Sequence, residues 1–261
     1  MTRGAAGGLA ILVALAIVAV AAPWLAPADP FVIRGPALAA PSAAHPFGTD
    51  DLGRDVYTGV IHGAVTSLRV GFAAALFSTL IGLTFGWLAG ARSGILNQVA
   101  VRATEFVQAV PRFFLIVMVV SLFGGRLWLI VLVIGLTAWP ATARLFRAQV
   151  MSTLTRDFIL AARAAGSGDA AILVRHVLPI TIAIVAAQVS YQVGGAILAE
   201  AGLSFLGLGD PTVISWGTLL GAASHTAHEA WWIAVFPGLA VTLTVLGCNL
   251  LADSLVRRDI S

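Results

Sequence analysis

Six apolar runs, each about long enough to cross a bilayer, leave this sequence few folds to choose from. They cover residues 5–25, 70–89, 106–123, 127–143, 179–199 and 231–252. At a rise of 1.5 Å per residue, about twenty residues span a hydrocarbon core of about 30 Å. Inside lipid every backbone N–H and C=O needs a partner within the protein, and a helix supplies one from its own segment. The composition agrees: 59% of the 261 residues are hydrophobic and 10% are charged, where a soluble domain carries about 25% charged residues. The expected fold class is therefore all-α and integral to a membrane, with six transmembrane helices in one domain, residues 1–261. For residues 5–25 a cleaved signal peptide is the competing reading. Ala26-Pro27-Ala28 would be a poor cleavage site, and Arg3 is the lone basic residue ahead of the run.

The charges orient these spans. All fifteen basic residues are arginine, and there is no lysine. A P-loop needs a lysine to reach the β- and γ-phosphates, so an ATP-driven function would place the motor on another polypeptide. Arg3, Arg92, Arg102, the group Arg144, Arg147, Arg156, Arg163 and Arg175, and the pair Arg257-Arg258 all fall on one side of the six-span plan. Residues 200–230 hold Glu200, Asp210 and Glu229 and no arginine. By the positive-inside rule both termini and the loop 144–178 are cytoplasmic, and 200–230 is external. The sequence pI of about 10.0 reflects these flanking arginines, and nucleic acid is not expected as a partner. Cys248 is the only cysteine, which excludes a disulfide framework or a thiolate metal cluster within one chain.

One stretch in the cytoplasmic loop, residues 156–179, is too polar to span. Phe158, Ala161, Ala162 and Ala165 fall at i, i+3, i+4 and i+7, on one face of a short alanine-rich helix. Gly166 would end it as a C-cap, and residues 167–169 could cap a second helix before Pro179. A short helix with a small-residue face suits a socket on another protein; an ordinary polar loop with a helical turn is the alternative.

This stretch resembles the cytoplasmic coupling loop of ABC-transporter permeases. Ala161-Ala162, Gly166 and Leu178-Pro179 stand at that family's spacing; Leu160 departs from it, where the family usually has glutamate. Residues 48–55, GTDDLGRD, and 196–209, AILAEAGLSFLGLG, followed by Ser215-Trp216-Gly217, are similar to the dipeptide, oligopeptide and nickel branch. Phe236-Pro237-Gly238 and Asn249-Leu250 continue the likeness, which covers a core of about residues 46–253. The resemblance implies a type I ABC importer permease fold with a coupling helix between the fourth and fifth spans. It implies a bacterial inner membrane location and a substrate that is a di- or oligopeptide, or nickel or a nickel chelate. The implied partners are a second, homologous permease, two ATP-binding cassette subunits carrying the ATP and Mg²⁺, an extracytoplasmic substrate-binding protein, and lipid. No cofactor and no catalytic residue is implied on this chain. Carried onto this sequence, the coupling residues are Phe158, Ala161, Ala162, Gly166, Asp169, Leu178 and Pro179.

Three further groups stand out. Gln188, Ser190, Tyr191 and Gln192 interrupt the fifth run, where polar groups line a path or bond to neighbouring helices. That run holds no acid, which counts against a proton-coupled carrier or channel acting alone. Glu200, Ser204 and Phe205 open the glycine-spaced segment after it, either an outer gate or a packed turn. His225 and His228 would share a helical face and are the metal candidates, too few for a site by themselves. Ahead of the second run, Thr49 is expected to cap a short helix with Asp50 and Asp51 in its first turn.

Overall fold

The structure, a computed structural model, describes residues 3–91 and 93–260 in backbone, with the side chains of Arg3 and residues 257–260 outside that description. Arg92 and the side chains of Arg3, Arg257 and Arg258, used above for orientation, thus lie outside the described residues. The described chain is helical; two isolated bridges, Ile33 to Arg54 and Thr49 to Asp55, are its only β pairings.

The elements are α1 (Arg3–Val20), α2 (Ala22–Leu25), α3 (Val56–Ala91), α4 (Ile95–Ala109), α5 (Arg112–Phe123), α6 (Leu127–Leu154), α7 (Asp157–Ala164), α8 (Asp169–Ile172), a π turn (Leu173–Val177), α9 (Leu178–Phe205), α10 (Trp216–Ala223) and α11 (Trp231–Ile260). α3 lies at the centre. It packs along α6 on one side and α9 on another; α11 lies on α9, and α1 on α11. Four helical stretches are long and apolar enough to cross a membrane: Val56–Ala91, Leu127–Leu154, Asp169–Phe205 and Trp231–Val256. A fifth is obtained if α4 and α5 are taken as one span bent by 77°, while Gly4–Val20 is shorter. The described helices therefore give four or five spans by length, against the six expected.

Small residues make the central contact. A Cβ on Gly82 would lie 2.5 Å from the Thr142 side chain, one on Gly86 would lie 2.7 Å from the Ala143 carbonyl, and one on Gly90 would lie 2.9 Å from Val150. These three glycines repeat every four residues on α3, so they form one stripe along which α6 approaches to backbone contact. In lipid there is no hydrophobic drive between helices, and such close packing supplies the attraction.

Several boundaries differ from the sequence expectation. The second span was expected to begin at residue 70, but α3 begins at Val56. Asp55 caps it: its Oδ2 accepts from the Thr58 amide at 2.8 Å and the Thr58 hydroxyl at 2.7 Å. The polar residues that depress hydropathy in this part have protein partners. His62 Nε2 is 2.8 Å from the Ala26 carbonyl, and Ser67 Oγ accepts from the Trp216 amide at 3.1 Å. Thr49 caps no helix. Residues 49–55 form a turn in which Asp50 accepts from the Leu52 and Arg54 amides and holds Arg54 Nε at 2.6 Å. The third run, 106–123, is broken. Pro111 drives Val110 to an extended conformation (φ −92°, ψ 130°) and starts a new helix. The segment between the second and third runs is mostly helical, since α4 covers Ile95–Ala109. Finally, Pro179 does not begin a span; a helix runs through it. The π turn before it, closed by Leu178 N–H to Leu173 O, widens the helix where the proline ring would meet a carbonyl one turn back.

Candidate functional site

The candidate in the loop expected to be cytoplasmic is built around α7. Ile159 is fully covered and packs with Phe146, Val150, Ile172 and Val177. That leaves the other side of the helix free. Phe158 is 40% exposed and Leu160 is 55% exposed, Ala161 and Ala165 are exposed, and Ala162 is half-buried. The Phe158 ring lies 5.9 Å from that of His176. Gly166, at φ +85°, closes the helix. Its N–H donates to Arg163 O at 2.9 Å, and Ser167 N–H reaches back to Ala162 O at 3.0 Å. This is the Schellman arrangement, which needs a left-handed residue at that point. α8 starts from Gly168 without a side-chain cap, with Asp169 in its first turn. Arg163 and Asp169 approach to 3.8 Å across the bend. Leu178 is half-buried, and Pro179 is exposed. Ile159 was missed in the sequence, because the alanine pattern drew attention to the opposite face.

The candidate expected on the outer side sits on the last turn of α9, since that helix runs past Ala199 to Phe205. Glu200 is 2% exposed. Its Oε1 accepts from Ser204 Oγ at 2.8 Å and Ser215 Oγ at 2.7 Å, while Oε2 has no partner among the described residues. Ser215 is the N-cap of α10 in a reciprocal capping box with Thr218. Trp216 follows, with its indole N–H on the Val60 carbonyl at 3.0 Å. Glu200 thus joins α9 to α10, and α10 is tied to α3. Phe205 is 53% exposed at the helix end. Gly207 (φ +77°) then turns the chain, with Leu208 N–H on Leu203 O at 2.9 Å. Glycine-spaced as it is, this segment is a helix end and a turn.

The residues of the fifth run have different partners. Gln192 is buried and donates to the Thr142 hydroxyl of α6. Tyr191 is 41% exposed and donates to Asp253 of α11. Gln188 is half-buried, and Ser190 Oγ donates to the Ala186 carbonyl at 3.0 Å. The fifth run itself holds no acid, yet the folded span carries Glu200 and meets Asp253. Thr142 and Asp253 escaped the sequence reading because each acquires its role only through a distant partner, and Ser215 stood there only as part of a motif. His225 and His228 lie in turns after α10, on no helical face, and among the described residues no three His, Cys, Asp or Glu side chains come together.

Asp210 fixes the turn after α9. Its Oδ2 accepts from the Leu127 amide at 2.8 Å, and its Oδ1 accepts from the Thr212 hydroxyl at 2.6 Å and the Thr212 amide at 2.9 Å. Partial burial works against its ionisation. The Thr212 and Leu127 hydrogen bonds and the Arg126 charge outweigh this and hold the carboxyl below the usual aspartate range.

Along α9 the group at Leu178 and the group at Glu200 are 22 residues apart, roughly 33 Å at the helical rise. A bundle with four or five helical stretches long and apolar enough to cross a bilayer is that of a polytopic membrane protein. Comparison with known proteins narrows this. Residues 82–258 match the family described as binding-protein-dependent transport system inner membrane component. The di/tripeptide transport system permease protein DppC of Pseudomonas aeruginosa (strain UCBPP-PA14) is 37% identical over 261 residues, covering 97% of this chain and 86% of that protein. A Brucella suis protein, provisionally described as a peptide permease, is 37% identical over 257 residues, covering 97% of this chain and 85% of the relative. Among solved structures, an inward-facing MetNI methionine ABC transporter matches with a TM-score of 0.58 at 18% identity, covering 75% of this chain and 95% of that one. The chain belongs to the family of inner membrane components of binding-protein-dependent transport systems, and its fold is that of the type I ABC importer permeases.

Proposed function

We propose that this chain is the permease subunit of an ATP-driven importer of di- and oligopeptides, and that α7 is the helix through which ATP hydrolysis on partner subunits is coupled to it. The observation that carries the coupling role is the division of α7. Ile159 seats it on α6, while Phe158, Leu160 and Ala161 stand outward as a compact surface. A helix presented in this way fits a groove on a second protein. With Leu160 in the place of an acid, the contact rests on shape. Gly166, Asp169, Leu178 and Pro179 set the turn that holds α7 at its angle. The relatives' names favour peptides over nickel. A chain without lysine has no P-loop, so ATP and Mg²⁺ belong to two cassette subunits. A second permease completes the pathway, and a binding protein delivers substrate from outside. In this reading α1 with α2 is the first of six spans, the bent pair α4–α5 is the third, and both termini are cytoplasmic.

The test is reconstitution of the complex with its binding protein in proteoliposomes. Peptide uptake should require ATP and should fall with Phe158→Ala. Transport by the purified single chain without nucleotide would refute the assignment. A cysteine placed at Ser224 should react with an impermeant reagent from the outside; reaction from the cytoplasmic face alone would overturn the topology.

A further inference from the structure

Arg69 is the exposed cation of α3, and among the described residues no side chain answers it. It lies thirteen residues after Val56, roughly 20 Å along the helix, where the apolar part of that helix begins. Among the described residues no hydrogen bond or ion pair reaches its guanidinium. A charged group at the edge of the hydrocarbon faces water, a headgroup or a ligand, not lipid tails.

What it faces is a cavity. Arg69 lines a concave space of about 720 Å³ between α1, α3 and the segment 212–214. That volume falls within the range of small-molecule sites, roughly 300–1,000 Å³. The walls are mostly apolar, with Phe31, Val65 and Phe72 among them, and His62, Thr66 and Thr212 supply the polar side chains besides Arg69. His62 Nε2 is engaged by the Ala26 carbonyl, which leaves its Nδ1 as an acceptor in the neutral ring. The site therefore offers one delocalised cation, hydroxyls and an apolar wall, and it contains no carboxylate. A guanidinium presents parallel N–H donors that match a carboxylate in two-point fashion.

We propose that this cavity is an outer binding site for the C-terminal carboxylate of a short peptide, with Arg69 as its anchor and Phe31 and Phe72 against an apolar side chain. The proposal rests on the peptide-importer reading above. It explains why an arginine stands unpaired on this apolar helix: its counter-charge arrives with the substrate.

The test compares uptake of alanyl-phenylalanine and of its C-terminal amide in the reconstituted complex, for the wild type, Arg69→Gln and Arg69→Lys. Capture by the binding protein is common to all three, so the ratio between variants isolates the permease. Arg69→Gln should lower free-acid uptake roughly ten- to a hundredfold, the scale of one charge-assisted contact, and should leave amide uptake unchanged. Arg69→Lys should recover part of the loss. An equal fall for both peptides would make Arg69 structural and overturn the site. Free-acid uptake that fails in neutral lipid and is restored by phosphatidylglycerol, with Arg69→Gln abolishing only that restoration, would assign the cation to a lipid phosphate and also overturn it. A wild-type complex that hydrolyses ATP yet takes up neither peptide would refute the importer reading, and the ligand proposed here with it.

Discussion

Truncating Ile159 and truncating Phe158 should have opposite signatures, although the residues are adjacent. Ile159 is fully covered, between Phe146 and Val150 of α6 and Ile172 and Val177 beyond the bend. Removing such a side chain to alanine costs about 2–5 kcal/mol. α7 has eight residues, too few to be stable alone in water, so the loss falls on its seating. At about 1.4 kcal/mol per factor of ten, the seated fraction relative to the unseated falls roughly 30-fold to several-thousandfold. Phe158 is 40% exposed, and its loss changes the seating little. As the anchor for a partner groove, however, it would be worth about 2–4 kcal/mol of docking. Hydrogen exchange over residues 157–166, measured on the chain alone in nanodiscs and in the full complex, separates the two. Ile159→Ala should speed exchange in both preparations, and Phe158→Ala in the complex alone. Both variants should lose peptide-stimulated ATP hydrolysis. The reasoning fails if Phe158→Ala loosens the isolated chain as much as Ile159→Ala, or if Ile159→Ala leaves exchange unchanged.

Gly166→Val should weaken the end of α7 by about 1–2 kcal/mol from backbone strain at positive φ, since a Cβ there meets nothing within 4 Å; exchange at residues 163–168 should rise while membrane insertion stays normal. Gly86→Val should cost at least about 1–3 kcal/mol by overpacking, because its Cβ would lie 2.7 Å from the Ala143 carbonyl. Gly195→Ala, with open space around it, should be neutral in the same detergent thermal-stability assay. Asp210 has its folded pKa lowered, so its contribution is present above its unfolded value of about 3.9 and is lost as pH falls through the lower folded value. A fluorophore at Val213→Cys, read from about pH 6 down to pH 3, should report loosening only in the acid range. Adding Asp210→Asn should abolish that transition and leave the loop looser throughout.

The sequence by itself determined that this is a helical membrane protein, where its apolar runs lie, which loops carry the arginines, and that a polar stretch, either a short helix or a loop with a helical turn, interrupts the pattern at residues 156–166. These are local properties: hydropathy summed over about twenty residues, the sign of a charge, and the conformational freedom of Gly166 are all set by the residue and its neighbours in the chain. Only the tertiary structure decided which face of α7 is free, because burial of Ile159 depends on Phe146, Val150, Ile172 and Val177, each brought there by another helix. It also moved the start of α3 to Val56. Hydropathy counts His62 and Ser67 as polar, whereas the fold pairs them with Ala26 and Trp216. Glu200, read from sequence as part of an outer segment, became a buried tie to Ser204 and Ser215, and Tyr191 found an acid on α11. The glycine stripe on α3 is visible as three letters four residues apart, but its meaning comes from α6 lying across it. Hydropathy is a sum over near neighbours and survives without a fold. A hydrogen bond or a close contact is a property of two segments, and it exists only once the chain has brought them together.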